Sequence, residues 1–272
     1  MQEHILYQSE SVEVGLFVLS PSESRFVEMG FVKDPIIVFP KNSIWIQHAG
    51  SQPFVADTTV VNFYNQGQNY HRFAINPNGD YCHWFRIADD LLAEVVNREQ
   101  HHFDRENMPC SPAIFYRHLG ILNQINQSCT TDQLSIDAEV LAVCADLFSS
   151  VASQQNSTKL TTTKHRQLVS CVKETLQHEL GVNISLRVLA RRHNTSPHHL
   201  CRVFKAVTGM GLNHYRTQQR LRALMLEIQN PDTGLVDLAF DHGFSSHAHM
   251  SAQFKRYFGL TPSACRQKFS HN

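Results

Sequence analysis

The spacing of apolar and polar positions changes along this chain. Between residues 11 and 87 the apolar positions come in short runs rich in β-branched and aromatic residues, at 12–19, 36–39, 43–48, 59–64 and 81–87. Turn-forming residues separate the runs: Pro21, Asp34-Pro35, Pro40-Lys41-Asn42, Gly50-Ser51, Gly67 and Asn76-Pro77-Asn78-Gly79. Short strands at such intervals predict a small β-barrel or sandwich. From residue 89 the period becomes helical. A short helix is expected over 89–98 and a second to residue 127, opened by Ser111-Pro112. A third is expected over 132–152, with Leu134, Val140, Leu141, Val143, Leu147 and Phe148 as its apolar positions. The last two helices have two uses open to them, packing on the barrel or against a second copy of the chain. Residues 153–163 are polar, offer little to bury, and read as a linker.

Beyond the linker every segment reads as helix, over 166–180, 186–193, 197–208, 212–228, 235–242 and up to 258, with a last helix opened by Thr261-Pro262. Capping serines mark the starts, at Ser185, at Ser196 before Pro197, and at Ser245 or Ser246. Gly181, Gly209, Gly243 and Gly259 mark the ends, and Asn230-Pro231 closes the longest helix. The expectation is a two-domain α+β chain. Residues 1–152 form a barrel with its following helices, 153–163 the linker, and 164–270 an all-helical domain.

The helical domain contains a duplication. Leu189-Ala190 is followed after thirteen residues by Phe204-Lys205 and after three more by Gly209. Leu238-Ala239 is followed after fourteen by Phe254-Lys255 and after three more by Gly259. Each copy is a short helix, a tight turn and a longer helix, which is the helix-turn-helix plan. In the first long helix Leu200, Val203, Phe204 and Val207 fall at i, i+3, i+4 and i+7 and must face the core. The same period turns His198, Cys201, Arg202 and Lys205 outward. In the second copy Met250, Phe254 and Tyr257 or Phe258 are core, and Ala248, Ser251, Ala252 and Lys255 face outward, flanked by His247 and His249. An outward arginine at 202 has the fork geometry to donate two hydrogen bonds to a guanine edge. Lys205 and Lys255, further from the helix starts, suit phosphate.

Charge agrees with this division. Residues 1–158 hold 8 Lys and Arg against 18 Asp and Glu, a net of −10; residues 159–272 hold 16 against 6, a net of +10. The basic half is the electrostatic footprint of a nucleic-acid binder. Seven cysteines lie scattered, without a CxxC pair, so neither a disulfide framework nor a zinc site is expected, and the pattern suits a reducing cytoplasm. There is no apolar run of membrane-spanning length and no signal-peptide pattern. HExxH, a Gly-rich phosphate loop and a Ser-His-Asp context are all missing, so no catalytic residue and no enzyme activity is expected.

The helical half resembles the AraC/XylS family of bacterial regulators. The pieces that carry the resemblance are Ser185-Leu186, Leu189-Ala190, Ser196-Pro197-His198-His199-Leu200-Cys201-Arg202-Val203-Phe204-Lys205, Gly209-Met210, Tyr215 and Arg220-Leu221. They continue with Leu238-Ala239, Gly243-Phe244-Ser245-Ser246, Phe254-Lys255-Arg256-Tyr257-Phe258-Gly259 and Thr261-Pro262-Ser263, and span about residues 164–270. The resemblance implies helix-turn-helix units over 185–208 and 235–258, joined by the helix at 212–228, with recognition helices entering successive major grooves of double-stranded DNA. Base contacts carry over to His198, Cys201, Arg202, His247, Ala248, Ser251 and Ala252, and phosphate contacts fall to Ser196, Lys205, Ser246 and Lys255. Ala252 departs from the pattern, since a large polar or basic side chain is common there. Cys265 stands where an aromatic is common. The N-terminal half is similar to cupin-type sensor domains, which implies a small-molecule effector in the barrel and dimerisation through the helices after it. Trp45, Phe63, Tyr64 and Trp84 are candidate pocket or core aromatics. His48, His71 and His83 lie far apart, and no closely spaced His-x-His with a following Glu occurs, so no metal or other cofactor is expected. The expected partners are DNA, RNA polymerase, the effector and a second copy of the chain.

Overall fold

The computed structural model describes residues 2–96, 102–127, 133–152, 162–228, 230 and 233–270. It divides into two units, residues 1–159 and 160–272. Most of the expected linker lies outside the described residues. No helix among the described residues is long and apolar enough to cross a membrane.

Unit one is a double-sheet barrel with helices on one side. One sheet has six antiparallel strands in the order β1 (Gln2–Gln8), β2 (Val12–Leu19), β9 (Asp80–Ile87), β4 (Ile36–Pro40), β7 (Val60–Tyr64) and β10 (Asn107–Pro109). The other has four, in the order β3 (Gly30–Val32), β8 (Gln68–Ala74), β5 (Ile44–His48) and β6 (Phe54–Ala56). All five expected strands are present, but β1, β3, β6, β8 and β10 go beyond the expectation. The strand β1 is a mostly exposed edge strand and β8 is polar, while β3, β6 and β10 have only three residues each, too few to stand out as strands.

The central strands β2, β9, β4 and β7 of the six-stranded sheet are buried on both faces, which explains why their sequences alternate so weakly. Register decides which side chain goes where. On β9, Asp80, Cys82, Trp84 and Arg86 share the inner face and line a cavity. His83 and Phe85, on the opposite face, turn to the helices. Helix α2 (Pro112–Gln127) lays His118 flat on Phe39, with ring centroids 4.2 Å apart and planes at 9°, and against His83 at 5.1 Å and Phe85 at 5.7 Å. Helix α3 (Gln133–Ala152) sets Phe148 against Phe63 and parallel to Phe103. Ile136, Val140, Val143, Cys144 and Leu147 of α3 are fully buried. Arg117 of α2 ties the two helices by pairing with Glu139 and Asp146 of α3. Of the two uses left open for these helices, their apolar faces take packing within the unit. A short helix, α1 (Asp89–Val96), opens this region.

Unit two is helical throughout, with α4 (Thr163–His178), α5 (Leu186–Arg192), α6 (Pro197–Thr208), α7 (Leu212–Glu227), α8 (Leu235–Asp241), α9 (His247–Phe258) and α10 (Pro262–Ser270). Helix α4 begins three residues earlier than its apolar pattern indicated, because Thr162 caps it, accepting from the N–H of His165. A first core joins α4, α5, α6 and the start of α7, through Val172, Leu176, Leu189, Leu200, Phe204 and Tyr215. The far half of α7 contributes Leu224 and Met225, and Ile228 caps its end; all three are fully buried, as are Met250 and Phe254 of α9. Cys265, buried on α10, meets the sulfur of Met225 at 3.2 Å, so a small side chain fits where an aromatic was expected.

Candidate nucleic-acid interface

The duplication seen in the sequence is a duplication of structure. In both copies a serine caps the longer helix. Ser196 Oγ accepts from the N–H of His199, and Ser246 Oγ from the N–H of His249, which settles the alternative between Ser245 and Ser246. Both helices stop at a left-handed glycine, Gly209 at φ 75° and Gly259 at φ 82°. The tight turns match as well. The N–H of Thr195 bonds the carbonyl of Ala190, and that of Phe244 the carbonyl of Ala239, at 3.0 and 2.9 Å. The left-handed turn residue is Asn194 in one copy and Gly243 in the other.

Helix α6 turns its polar residues out. Leu200, Val203 and Phe204 are buried, while Ser196, His198, Arg202 and Lys205 are exposed and Cys201 is half-buried. Arg202 donates from Nη2 to Nδ1 of His199 at 3.2 Å, a contact one turn back that steadies the guanidinium. No acidic residue stands in the first turn of α6 or of α9. That leaves the positive end of each helix dipole uncompensated by an acidic side chain there.

Helix α9 repeats the geometry with different chemistry. Met250 and Phe254 are buried; Ala248, Ala252 and Lys255 are exposed; Ser246, His247 and Ser251 are half-buried. His247 Nε2 and Ser251 Oγ lie 3.4 Å apart, so the two polar groups on this face also engage each other. Where α6 offers a guanidinium, α9 offers the methyl of Ala252. Each capping serine uses its oxygen on a helix N–H and keeps its hydroxyl proton to donate. Every residue singled out from the sequence for DNA contact thus lies on α6, α9 or their caps, on the side away from the buried apolar residues.

Sequence reasoning missed what joins the two copies. Arg220, in mid-α7 and 6% exposed, donates to the carbonyls of Leu180, Val182 and Gly243 and to Oδ1 of Asn183, at 2.8 to 3.1 Å. The first, second and fourth of these acceptors lie in the α4–α5 loop, and Gly243 is the turn residue of the second copy. Burial lowers the Arg220 pKa to about 10, with the charge of Arg216 adding to the effect, and the group stays charged at neutral pH. A Cβ on Gly243 would fall 2.5 Å from the carbonyl oxygen of Gly181 and 2.6 Å from Arg220 Nη2. Only glycine fits there, whereas Asn194 turns in the open. Arg222, fully buried, donates to Tyr257 Oη of α9 from Nε and Nη2, and Arg216 holds the carbonyl of Ile184. A signal existed: Arg220 stands four residues before Leu224 and Arg222 three before Met225, on the buried stripe of the helix.

Unit one offers a second candidate site, the barrel cavity of about 630 Å³. Of the four aromatics considered from sequence, Tyr64 and Trp84 line it. Phe63 faces the helices, and Trp45 is half-buried outside the lining. Among the described residues no group of three or more His, Cys, Asp or Glu is placed to hold a metal ion.

A family model described as a helix-turn-helix domain matches residues 189–268. The probable transcription factor PqrA of Proteus vulgaris is 34% identical over 92 residues, 34% of this chain and 74% of that protein. The Msm operon regulatory protein of Streptococcus mutans is 24% identical over 235 residues, 86% of this chain and 70% of that protein. SoxS of Salmonella typhimurium is 29% identical over 104 residues, 38% and 97% of the two chains. Among solved structures, ToxT of Vibrio cholerae overlaps 97% of this chain and all of its own at 12% identity, with a TM-score of 0.38.

Proposed function

Because the chain belongs to the AraC/XylS family of transcription regulators, we propose that it reads a specific DNA sequence through α6 and α9 in response to a small molecule held in its barrel. The observation that carries the DNA reading is the pair of matched helices with outward polar faces, fixed to one connector, in the half of the chain with a net charge of +10. His198, Cys201 and Arg202 of α6, and His247, Ala248, Ser251 and Ala252 of α9, are the proposed base readers. Ser196, Lys205, Ser246 and Lys255 are the proposed phosphate contacts. RNA polymerase is the proposed protein partner in activation, and the cytoplasm the proposed compartment. The homodimer proposed from sequence would use the exposed sides of α2 and α3, and sedimentation of the full chain tests it.

A gel-shift titration against the upstream region of the chain's own operon, at several salt concentrations, tests the reading. Salt-sensitive, sequence-selective binding is expected; binding equal to that of unrelated DNA overturns it. The Arg202→Ala protein should lose about 1–3 kcal/mol, roughly fivefold to 150-fold in affinity, with selectivity relaxed at one base pair. Lys205→Ala should weaken all sequences alike and lower the salt slope by about one. Ala252→Arg, placing a donor where α9 has a methyl, is expected to add a preference for guanine in the second half-site and leave the first unchanged. Selection of bound sequences from a random library reads both halves at once.

A further inference from the structure

We infer that the barrel cavity is built for an uncharged ligand carrying both a hydrogen-bond donor and an acceptor, and that Trp84 and Asn62 are the groups that read it. The inference rests on the proposed effector role of the barrel and gives that effector a chemistry.

The cavity, about 630 Å³, is in the size range of sites that enclose small organic molecules. Its buried charges stand beside opposite ones. Arg72, 7% exposed, forms an ion pair with Asp80, Nε lying 3.2 Å from Oδ2 but making no hydrogen bond; it donates from Nη2 to Tyr70 Oη at 2.5 Å and lies over the rings of Phe17 and Tyr70. Burial pushes Asp80 up to about 6 against the pull of Arg72, so at neutral pH the carboxylate is ionised and the pair intact. Arg86 lies between Glu13 at 2.5 Å and Asp34 at 2.9 Å, two carboxylates to one guanidinium. Glu3, Arg25, Glu28 and Lys33, the remaining charged lining residues, are exposed to solvent. Inside, an anionic ligand would meet only the Arg72 guanidinium, whose charge Asp80 already offsets, and an excess carboxylate at Arg86. A cationic ligand would have to compete with Arg72 for Asp80. Either exchange strips a buried charge of its partner.

Two neutral groups of the lining are also unspent. Trp84 Nε1 and Asn62 Oδ1 are buried and have no hydrogen-bond partner; the residues are 6% and 2% exposed. Trp84 pairs with Val38 across β9 and β4, and Val38 with Asn62 across β4 and β7, so both side chains share the inner face, one on either side of Val38. Gly15, opposite Trp84 on β2, makes room for the indole, since a Cβ there would lie 2.2 Å from the ring. The ring, Nε1 included, is therefore seated against β2. A buried donor and a buried acceptor left unpaired are costly, and a ligand that satisfies both recovers that cost. The tyrosine hydroxyl of Tyr64 is held protonated by burial and adds a neutral group to the same wall. Leu19, Val38, Ile44 and Ile46 supply an apolar surround.

Trp45→Phe leaves Trp84 as the single tryptophan of the full chain, so its emission reports on the cavity. The Trp45→Phe protein is titrated with a fragment panel of equal numbers of uncharged hydroxylated compounds, carboxylates and amines. Uncharged members bearing a donor and an acceptor are expected to be the ones that saturate the Trp84 signal. Asn62→Leu, and separately Asn62→Ser, should weaken those members about tenfold or more while the circular dichroism stays that of the parent. Predominance of carboxylates or amines among the saturating fragments, silence of Trp84 towards the whole panel, or unchanged affinity in both Asn62 variants overturns the inference. Gel shifts with and without the bound fragments run in parallel. Saturation without any change in DNA affinity supports the ligand class and removes the effector reading.

Discussion

The Arg220→Ala protein is expected to protect one major groove of its operator where the parent protects two. The parent guanidinium clamps the α4–α5 loop and the turn of the second helix-turn-helix unit with four hydrogen bonds. Alanine leaves those acceptors without their donor, at a cost of about 1–3 kcal/mol for each that stays buried. The clamp fixes α9 relative to α6, and a fixed pair of binding elements gains on the order of a hundredfold or more in affinity over independent ones. Footprinting should therefore show α6 protection retained and α9 protection lost, with overall affinity down by about two orders of magnitude. Arg220→Lys should resemble alanine, because one ammonium with three donors cannot satisfy four acceptors held by a planar fork. Equal protection of both grooves in either variant would show that α7 and the pairing of Arg222 with Tyr257 suffice.

Acid should unfold unit one before it disturbs unit two. Burial depresses His83 to about 3, with the charge of Lys41 adding to it, and His48 to about 4. His118 is held well below its ordinary value by burial, with His83 and Lys41 contributing. All three are neutral in the fold and take up protons only on unfolding. Since the folded values lie below the unfolded one, this stability is complete above about pH 6.5 and is lost as pH falls toward 4 and then 3. By pH 5 His83 alone withdraws roughly 2 kcal/mol. Asp80 works the other way: its folded value is raised to about 6, so its cost at neutral pH is relieved on acidification, by about 1 kcal/mol at pH 5. The balance favours unfolding. Thermal midpoints at pH 7.5 and 5 should differ by several degrees, and His118→Phe, which keeps the stack on Phe39 without a titrating group, should narrow the difference. Parallel pH profiles for parent and variant would put the acid sensitivity elsewhere.

What was legible in the sequence is what is encoded locally. A serine followed by a periodic apolar stripe, closed by a glycine that can turn left-handed, specifies a helix with little help from the rest of the chain. For that reason α6 and α9 appear with the expected ends, and Arg202 and Ala252 on the expected side. Strand register is not local. Phe63 and Tyr64 are adjacent, yet one packs on Phe148 and the other lines the cavity, and only the pairing of β7 with β4 decides which. The polar strand β8 and edge strand β1 are stabilised by neighbours distant in sequence, so their own residues carry little of the signal. The Arg220 clamp combines a loop 40 residues upstream and a turn 23 residues downstream. A helical wheel marks the arginine as inward but cannot name what it meets.

The unlike faces of α6 and α9 have one more consequence. A reader with a guanidinium at one end and a methyl at the other does not see the same site when the duplex is turned end for end. On the proposed reading, a single copy of this chain sits on its operator with a head and a tail, and which way it points toward the start of transcription is written into the order of the two half-sites.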